Sequence, residues 1–435
     1  MIQFDTDQEK LMRFQCLNNK CYYATTDKTH LVRHEKSCRS NTVISCKQEV
    51  KAKPDDSVRK SLELEGIIPD SEWQNWHFCC YDVECLIEEA SDTTNMPRSV
   101  HRLVSIAVKS SFGDNSEHYI ERKNMNPLEL QPMMENFRAH LMEKREEMLL
   151  YIPDTVIAGQ KKYLEILQSE AFKTFSVVQK AKVRAKLRYL SDCLKLRVYS
   201  WNGERYDNNV VWAPLMDNLQ FFKKEFGEMN IIRRGTGIMQ FTFGELVFRD
   251  FLNYSNPMSL ENFAKSCGVT GTEKTTFPYE LYKDISKLRT ITEFPAYPHF
   301  LSSLRKGEEK YADDLVELAN EMVESNICET IEEVHNFFQF SENLQIECVN
   351  GKAVSVRVTD DVPIRDILHT CPRKYVVSRN IFDESCENMS AYLRRYNLND
   401  VILLTECIQE YSKGFWNSWR INIHRSMSLP GVAQG

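Results

Sequence analysis

FCCYDVECLI, Phe78–Ile87, is an apolar run of strand length with two carboxylates at its centre. Alternate residues of a strand point to the same face, so Phe78, Cys80, Asp82, Glu84 and Leu86 share one side and the two acids are neighbours. Burying two like charges this close costs on the order of several kcal/mol unless a metal ion, an Arg or a Lys lies between them. The alternative is a strand end that tips its acids into solvent, helped by Glu88 and Glu89 just beyond.

The chain of 435 residues, 42% hydrophobic, has apolar material for one large domain or two ordinary ones. Its opening, MIQFDTDQEKLMRFQC, lacks the basic start and apolar run of a secretory signal, and no stretch of about 18 uncharged apolar residues follows. The expectation is a soluble intracellular protein with no membrane partner. The 14 cysteines are too dilute and irregular for a disulfide framework, so reduced thiols are expected, with Cys79 and Cys80 acting as small core residues. A net charge of -7 gives no global attraction to nucleic acid, so any contact must be local. Lys180, Lys182, Arg184, Lys186, Arg188, Lys195 and Arg197 form the one basic array, which reads either as a phosphate track or as a solvated helix face.

Residues 1–46 differ in kind from the rest. Cys16, Cys21, His34 and Cys38 fall as C-x4-C-x12-H-x3-C, the ligand spacing of a small zinc finger of the C2H2 kind with Cys in the last place. Phe14 and Leu31 sit where such a finger needs apolar filler, whereas Thr25 stands where an aromatic is usual; His30 or Cys46 could substitute in the shell. One Zn²⁺ held there would be structural, because four protein ligands leave no open position. Residues 47–72, charged and Pro-containing, read as a linker, and a second domain begins near Trp73. In it HRLVSIAVKSS and EHYIERK flank the turn FGDN as a hairpin, helices are expected over Pro127 to about Leu149 and about Thr174 to Leu194, and LRVYSWNG is a further strand. Three antiparallel strands, a helical crossover and a strand alongside the first give an α/β fold, an RNase H-like mixed sheet flanked by helices.

A two-metal nuclease needs acids from distant parts of the chain to hold its ions. In WNGERYDNNVV, Asn202 and Gly203 close a strand and Asp207 opens an apolar helical segment, where it could equally be an N-cap. In AYLRRYNLNDVILLTECI, Tyr396 and Asp400 lie four apart on one helix face, and Asp400 is followed directly by Val401, Ile402, Leu403 and Leu404. Asp400 could instead be paired with a core Arg, with Tyr396 packing beside it.

Asp-x-Glu, then Asn-Gly-x-x-Tyr-Asp, then Tyr-x3-Asp resembles the three exonuclease motifs of B-family DNA polymerases in the DEDDy arrangement, closest to the protein-primed branch of viruses, linear plasmids and self-synthesising transposons. SLENF, Ser259–Phe263, is similar to that branch's motif for the single-stranded 3′ end, and KTTF, Lys274–Phe277, followed by FPYELY, is similar to its Lys-x2-hydrophobic segment. The similarity runs from about Trp73 to Pro430 and weakens around 325–385. The resemblance implies two Mg²⁺ or Mn²⁺ ions held by Asp82, Glu84, Asp207 and Asp400, with Tyr396 orienting the attacking water and Lys274 stabilising charge at the scissile phosphate. It implies contacts to a frayed DNA 3′ strand from Asn202, Gly203, Tyr206, Ser259, Leu260 and Phe263. Tyr206 replaces the Phe commonest at its place and keeps a ring for stacking.

SLPGVAQG, Ser428–Gly435, resembles the entry to the polymerase palm, and the polymerase motifs Asp-x2-Ser-Leu-Tyr-Pro and Tyr-x-Asp-Thr-Asp are absent from these residues. The expectation is a 3′→5′ exonuclease domain, spanning 73–427, that does not itself synthesise DNA. It would act on single-stranded or frayed DNA ends, beside a separate polymerase subunit or element-encoded protein, in the nucleus or the cytoplasm. Two other readings stand beside it: a nucleic-acid-binding module that does not cut, and the N-terminal fragment of a full DNA polymerase.

Overall fold

The computed structural model describes residues 14–15, 24–25, 54–69, 73–89, 99–217, 229–269, 275–300, 312–337, 344–358 and 371–428. The chain divides into two units, Met1–Pro54 and Asp55–Gly435. In the first, Phe14–Gln15 pairs antiparallel with Ala24–Thr25. The candidate zinc ligands Cys16, Cys21, His34 and Cys38, with His30 and Cys46, lie outside the described residues.

The linker expected at 47–72 is corrected from residue 54 onward. Helix α1 (Pro54–Leu64) occupies that stretch, and Leu62, Ile67 and Ile68 are buried in the main core with Val58 packed against it. Arg59 donates to the Trp73 carbonyl at 2.9 Å, which ties the segment to the start of the domain. The charge density that suggested a linker covers the outer face of an amphipathic helix, whose apolar positions 58 and 62 lie one turn apart.

Strands β1 (Phe78–Glu89), β2 (Ser99–Ser110) and β3 (Glu117–Glu121) form an antiparallel meander. The crossover that follows has more helices than the apolar spacing suggested: α2 (Leu130–Leu149), α3 (Asp154–Gln168), α4 (Glu170–Thr174) and α5 (Val177–Cys193). Helix α5 starts after Thr174 because Ser176 and Gln179 build a reciprocal capping box, which satisfies two otherwise orphaned amides. Strand β4 (Leu196–Ser200) then runs parallel to β1. Helix α6 (Asp207–Asp217) precedes β5 (Met229–Arg234), β6 (Gly237–Phe243) and β7 (Leu246–Asp250), the last of them parallel to β4. The result is a mixed seven-stranded sheet in the order β3-β2-β1-β4-β7-β6-β5.

Every residue of β4 and of β7 is buried, as expected for central strands covered on both faces. The alternation in β1 sorts its residues between two cores. Cys79, Tyr81, Val83 and Cys85 join Phe137 and Leu141 of α2 on one side, and Phe78 and Cys80 join the layer on the other. That second layer contains α7 (Leu260–Cys267) and the 31-residue α11 (Met389–Trp419), which packs on β1 and β2. Between them come α8 (Ile285–Leu288), α9 (Ala312–Glu324), a hairpin of β8 (Leu344–Val349) and β9 (Lys352–Val358), and α10 (Pro372–Ser385). The stretch around 325–385 that looked inserted contributes to a small core of its own, with Met322, Ile331, Val356 and Tyr375. Among the described residues all ten cysteines are free thiols, and no helix is long and apolar enough to cross a membrane.

Leu62→Ala is expected to cost about 2–5 kcal/mol of unfolding free energy in a denaturant titration, the range for deleting a buried Leu side chain. A cost below about 0.5 kcal/mol, typical of a solvated surface position, would return the segment to the linker.

Candidate active site

The even residues of β1 face α11, so Asp82 and Glu84 are turned towards the helix that carries Tyr396 and Asp400. A side-chain tie sets the helix register. Glu84 pairs with Ser105 across the β1–β2 ladder, and the fully buried Asn397 of α11 donates to the Ser105 hydroxyl at 3.2 Å. Tyr396 and Asp400 flank Asn397 on the same helix and are each 7% exposed. A bulge between Glu84 and Cys85 then re-aims the strand.

Asp207 reaches the same place by another route. Strand β4 pairs with β1 only as far as Cys80, which leaves the β1 edge beyond it open. The Asp207 carboxylate, at the first residue of α6, lies near its own backbone N–H and that of Val83, both of which favour its charged form. Next in sequence, the buried Asn208 accepts from the Tyr81 hydroxyl at 2.5 Å and donates to the Ile238 carbonyl at 2.8 Å, which fixes the start of the helix between β1 and β6.

Burial, and then the negative charge of Asp82, push both Glu84 and Asp207 well above the usual carboxylate range. Asp400 adds its charge to Glu84, and Asp250 adds its own to Asp207. Tyr396 is likewise driven up, by burial and by the charges of Asp400, Glu84 and Asp82. Asp82 of β1 thus acts on Asp207 of α6, and Asp400 of α11 acts on Glu84 of β1. Among the described residues no three of His, Cys, Asp or Glu are drawn together closely enough to grip an ion as they stand. The donor set is all carboxylate oxygen, which suits hard divalent cations such as Mg²⁺ or Mn²⁺.

Two residues at the site carry no role in the sequence reading. Tyr279, inside the quoted FPYELY, donates to the Tyr396 oxygen at 3.0 Å and is also within hydrogen-bond reach of Glu84. Asp250, the last residue of β7, is 3% exposed, and burial raises its carboxyl to about 6. Its signal was present in the sequence: LVFRD, like the opening stretch, is an apolar strand run containing an acid.

The remaining candidates divide. Asn202, at φ 62°, takes a left-handed turn that Asn tolerates. A Cβ on Gly203 would lie 1.9 Å from the Ser200 hydroxyl, so only glycine fits there. Tyr206 is half-buried, its hydroxyl 2.8 Å from His101 Nδ1. Ser259 is exposed and caps α7 by accepting from the Asn262 N–H at 3.2 Å. Leu260 and Phe263 are corrected: both are buried core residues, and the Phe263 ring stacks on Trp201 at 4.9 Å. Their side chains are taken up by packing, as on the apolar face of an amphipathic helix. Lys274 lies outside the described residues. The basic array is corrected in part: Arg197 is buried against Asp192 and the His424 carbonyl, and Lys186 is paired with Glu65.

Comparisons of the chain with protein-family models, with curated proteins and with solved structures returned no match.

A pH dependence follows from the raised carboxyls. Because the folded protein holds these protons more tightly than the unfolded chain does, their stabilising contribution is complete at low pH and is lost as pH rises through the raised values. In divalent-free buffer the melting temperature should therefore fall as pH rises above the ordinary carboxylate range, and Glu84→Gln should flatten the slope and raise the melting temperature at the alkaline end. An unchanged slope in Glu84→Gln would contradict the assignment.

Proposed function

We propose that the second unit is a metal-dependent 3′→5′ exonuclease of RNase H-like fold, acting on single-stranded or frayed DNA ends. What supports this reading is that Asp82 acts on the carboxyls of both Glu84 and Asp207, and that Asp400, Glu84 and Asp82 all act on the buried Tyr396 hydroxyl, which relates acids of one strand and two helices. The sheet supports it as well, since three antiparallel strands are followed by a helical crossover to a strand parallel with the first.

On this reading the four carboxylates hold two Mg²⁺ or Mn²⁺ ions, which when bound supply an activated water and stabilise the departing oxygen. Tyr396 accepts from Tyr279 and keeps its own proton, since its pKa is driven up, so it can donate to the attacking water and orient it at neutral pH. Asn202 and Tyr206, just before Asp207 in the chain, would contact the strand, the Tyr206 ring offering a surface for a terminal base. Ser259 keeps a hydroxyl proton for a phosphate oxygen even as its oxygen caps α7. Leu260 and Phe263 act indirectly, by packing α7 beneath Trp201 and so supporting the residue before Asn202. Lys274 would supply a cation where charge grows on the scissile phosphate. In the first unit, Cys16, Cys21, His34 and Cys38 would hold one structural Zn²⁺.

Purified protein should shorten a 5′-labelled single strand one nucleotide at a time from its 3′ end, with Mg²⁺ or Mn²⁺ required. Asp82→Ala should reduce the rate by at least about a thousandfold, as loss of an ion's ligand removes most of its transition-state stabilisation. Undiminished cleavage by Asp82→Ala, or tight DNA binding by wild type with no shortening, would refute the proposal.

A further inference from the structure

The turn of residues 201–206 carries the proposed strand contacts and leads directly into Asp207, and its middle is tied to the sheet through Glu204 and Asp250. The Glu204 side chain is buried although its partner Arg234 is exposed, with side-chain exposures of 6% and 63%. Glu204 uses every polar group it has. Its N–H donates to Asp250 Oδ2 at 3.0 Å, and its carbonyl accepts from the Ile238 N–H and from Asn209 Nδ2, both at 2.9 Å. Its carboxylate takes a bidentate pair from Arg234, at 2.8 and 2.6 Å, and a further bond from Asn253 at 3.1 Å. Asp250 in turn accepts from the Leu252 N–H at 2.9 Å, so one carboxylate bridges the turn to the end of β7. Gly237 makes the contact possible, since a Cβ there would come within 2.7 Å of Glu204 Cγ.

We infer that Asp250 and Glu204 are positioning residues that clasp the 201–206 turn to β7 and to the β5–β6 hairpin, and thereby set the place of Asp207 and Tyr206. Neither needs to touch substrate. Without the clasp the turn is held at its ends by Asn208 and by the packing of Trp201, and its middle is free to shift. A displacement of about 1 Å at a reacting group can cost about a hundredfold in rate, so a fold that survives can still be catalytically slow. The inference rests on the exonuclease reading for its catalytic consequence and on the hydrogen-bond geometry for its structural one.

The test compares Asp250→Asn and Glu204→Gln with wild type in the full chain by three readouts. They are amide hydrogen exchange across residues 201–208, melting temperature, and kcat and KM on a single-stranded DNA 3′ end, assayed well below the melting transition. Both substitutions keep the side-chain shape and one acceptor oxygen, so the fold should persist. The expected result is faster exchange at the Glu204 amide in Asp250→Asn, and a fall in kcat of roughly ten- to a hundredfold in both variants with the melting temperature lowered only slightly. Arg234→Ala combined with Glu204→Gln should recover part of the rate lost in Arg234→Ala alone, because the double variant no longer buries an unmatched carboxylate. Unchanged exchange across the turn overturns the inference whatever the activity. Faster exchange with unchanged kcat overturns the positioning role. Should wild-type protein fail to cut DNA, the exonuclease reading falls and the exchange result alone decides the clasp.

Discussion

The placement of the site depends on the side to which β1 turns its acids. A strand running through the middle of a sheet gives half its residues to each core, and a slip of one residue would exchange the two sets. In the observed register Tyr81 and Val83 fill one core, while Asp82 and Glu84 face α11. The helix arrives with Asn397 bonded to Ser105, the residue opposite Glu84, so the two carboxylates meet Tyr396 and Asp400 rather than a purely apolar helix face. Burial away from water, and then the repulsion of the neighbouring Asp82, raise the pKa values of Glu84 and Asp207. Buried acids near one another are a poor way to stabilise a fold, a cost that the proposed cation binding would offset.

The parts of the molecule with a clear period could be read directly. FCCYDVECLI, the hairpin around FGDN, the strand LRVYS and the long helix around Asp400 all show alternation or three-and-four spacing, and all appear where expected. The acids themselves were legible because a charge inside an apolar run violates the pattern around it. What escaped notice did so for physical reasons. Helix α1 hides two apolar positions among many charges. Glu204 looks like a surface residue in a polar turn, and it is buried only because Arg234 and Asn253, which lie 30 and 49 residues away, come to meet it. Leu260 and Phe263 belong to a motif resembling a DNA-contacting one, and their spacing also marks an apolar helix face, which packs into the core.

The site is therefore layered. The acids on β1 and α11 are set by sheet register and helix packing, the most rigid relations in the fold, whereas Asp207 hangs on a turn held by side-chain bonds from β6, β7 and the loop after β7. That division places any adjustment of the site on the α6 side, where the proposed strand contacts also sit.

The central claim is that these carboxylates face one another so as to share divalent cations, and calorimetric titration with Mn²⁺ in buffers of different ionisation enthalpy tests it most directly. Because the Glu84 and Asp207 carboxyls are raised, cation binding should be linked to proton release, and both the binding and the release should weaken sharply in Glu84→Gln. Absence of binding at millimolar Mn²⁺, or binding that proceeds unchanged in Glu84→Gln, would contradict the account.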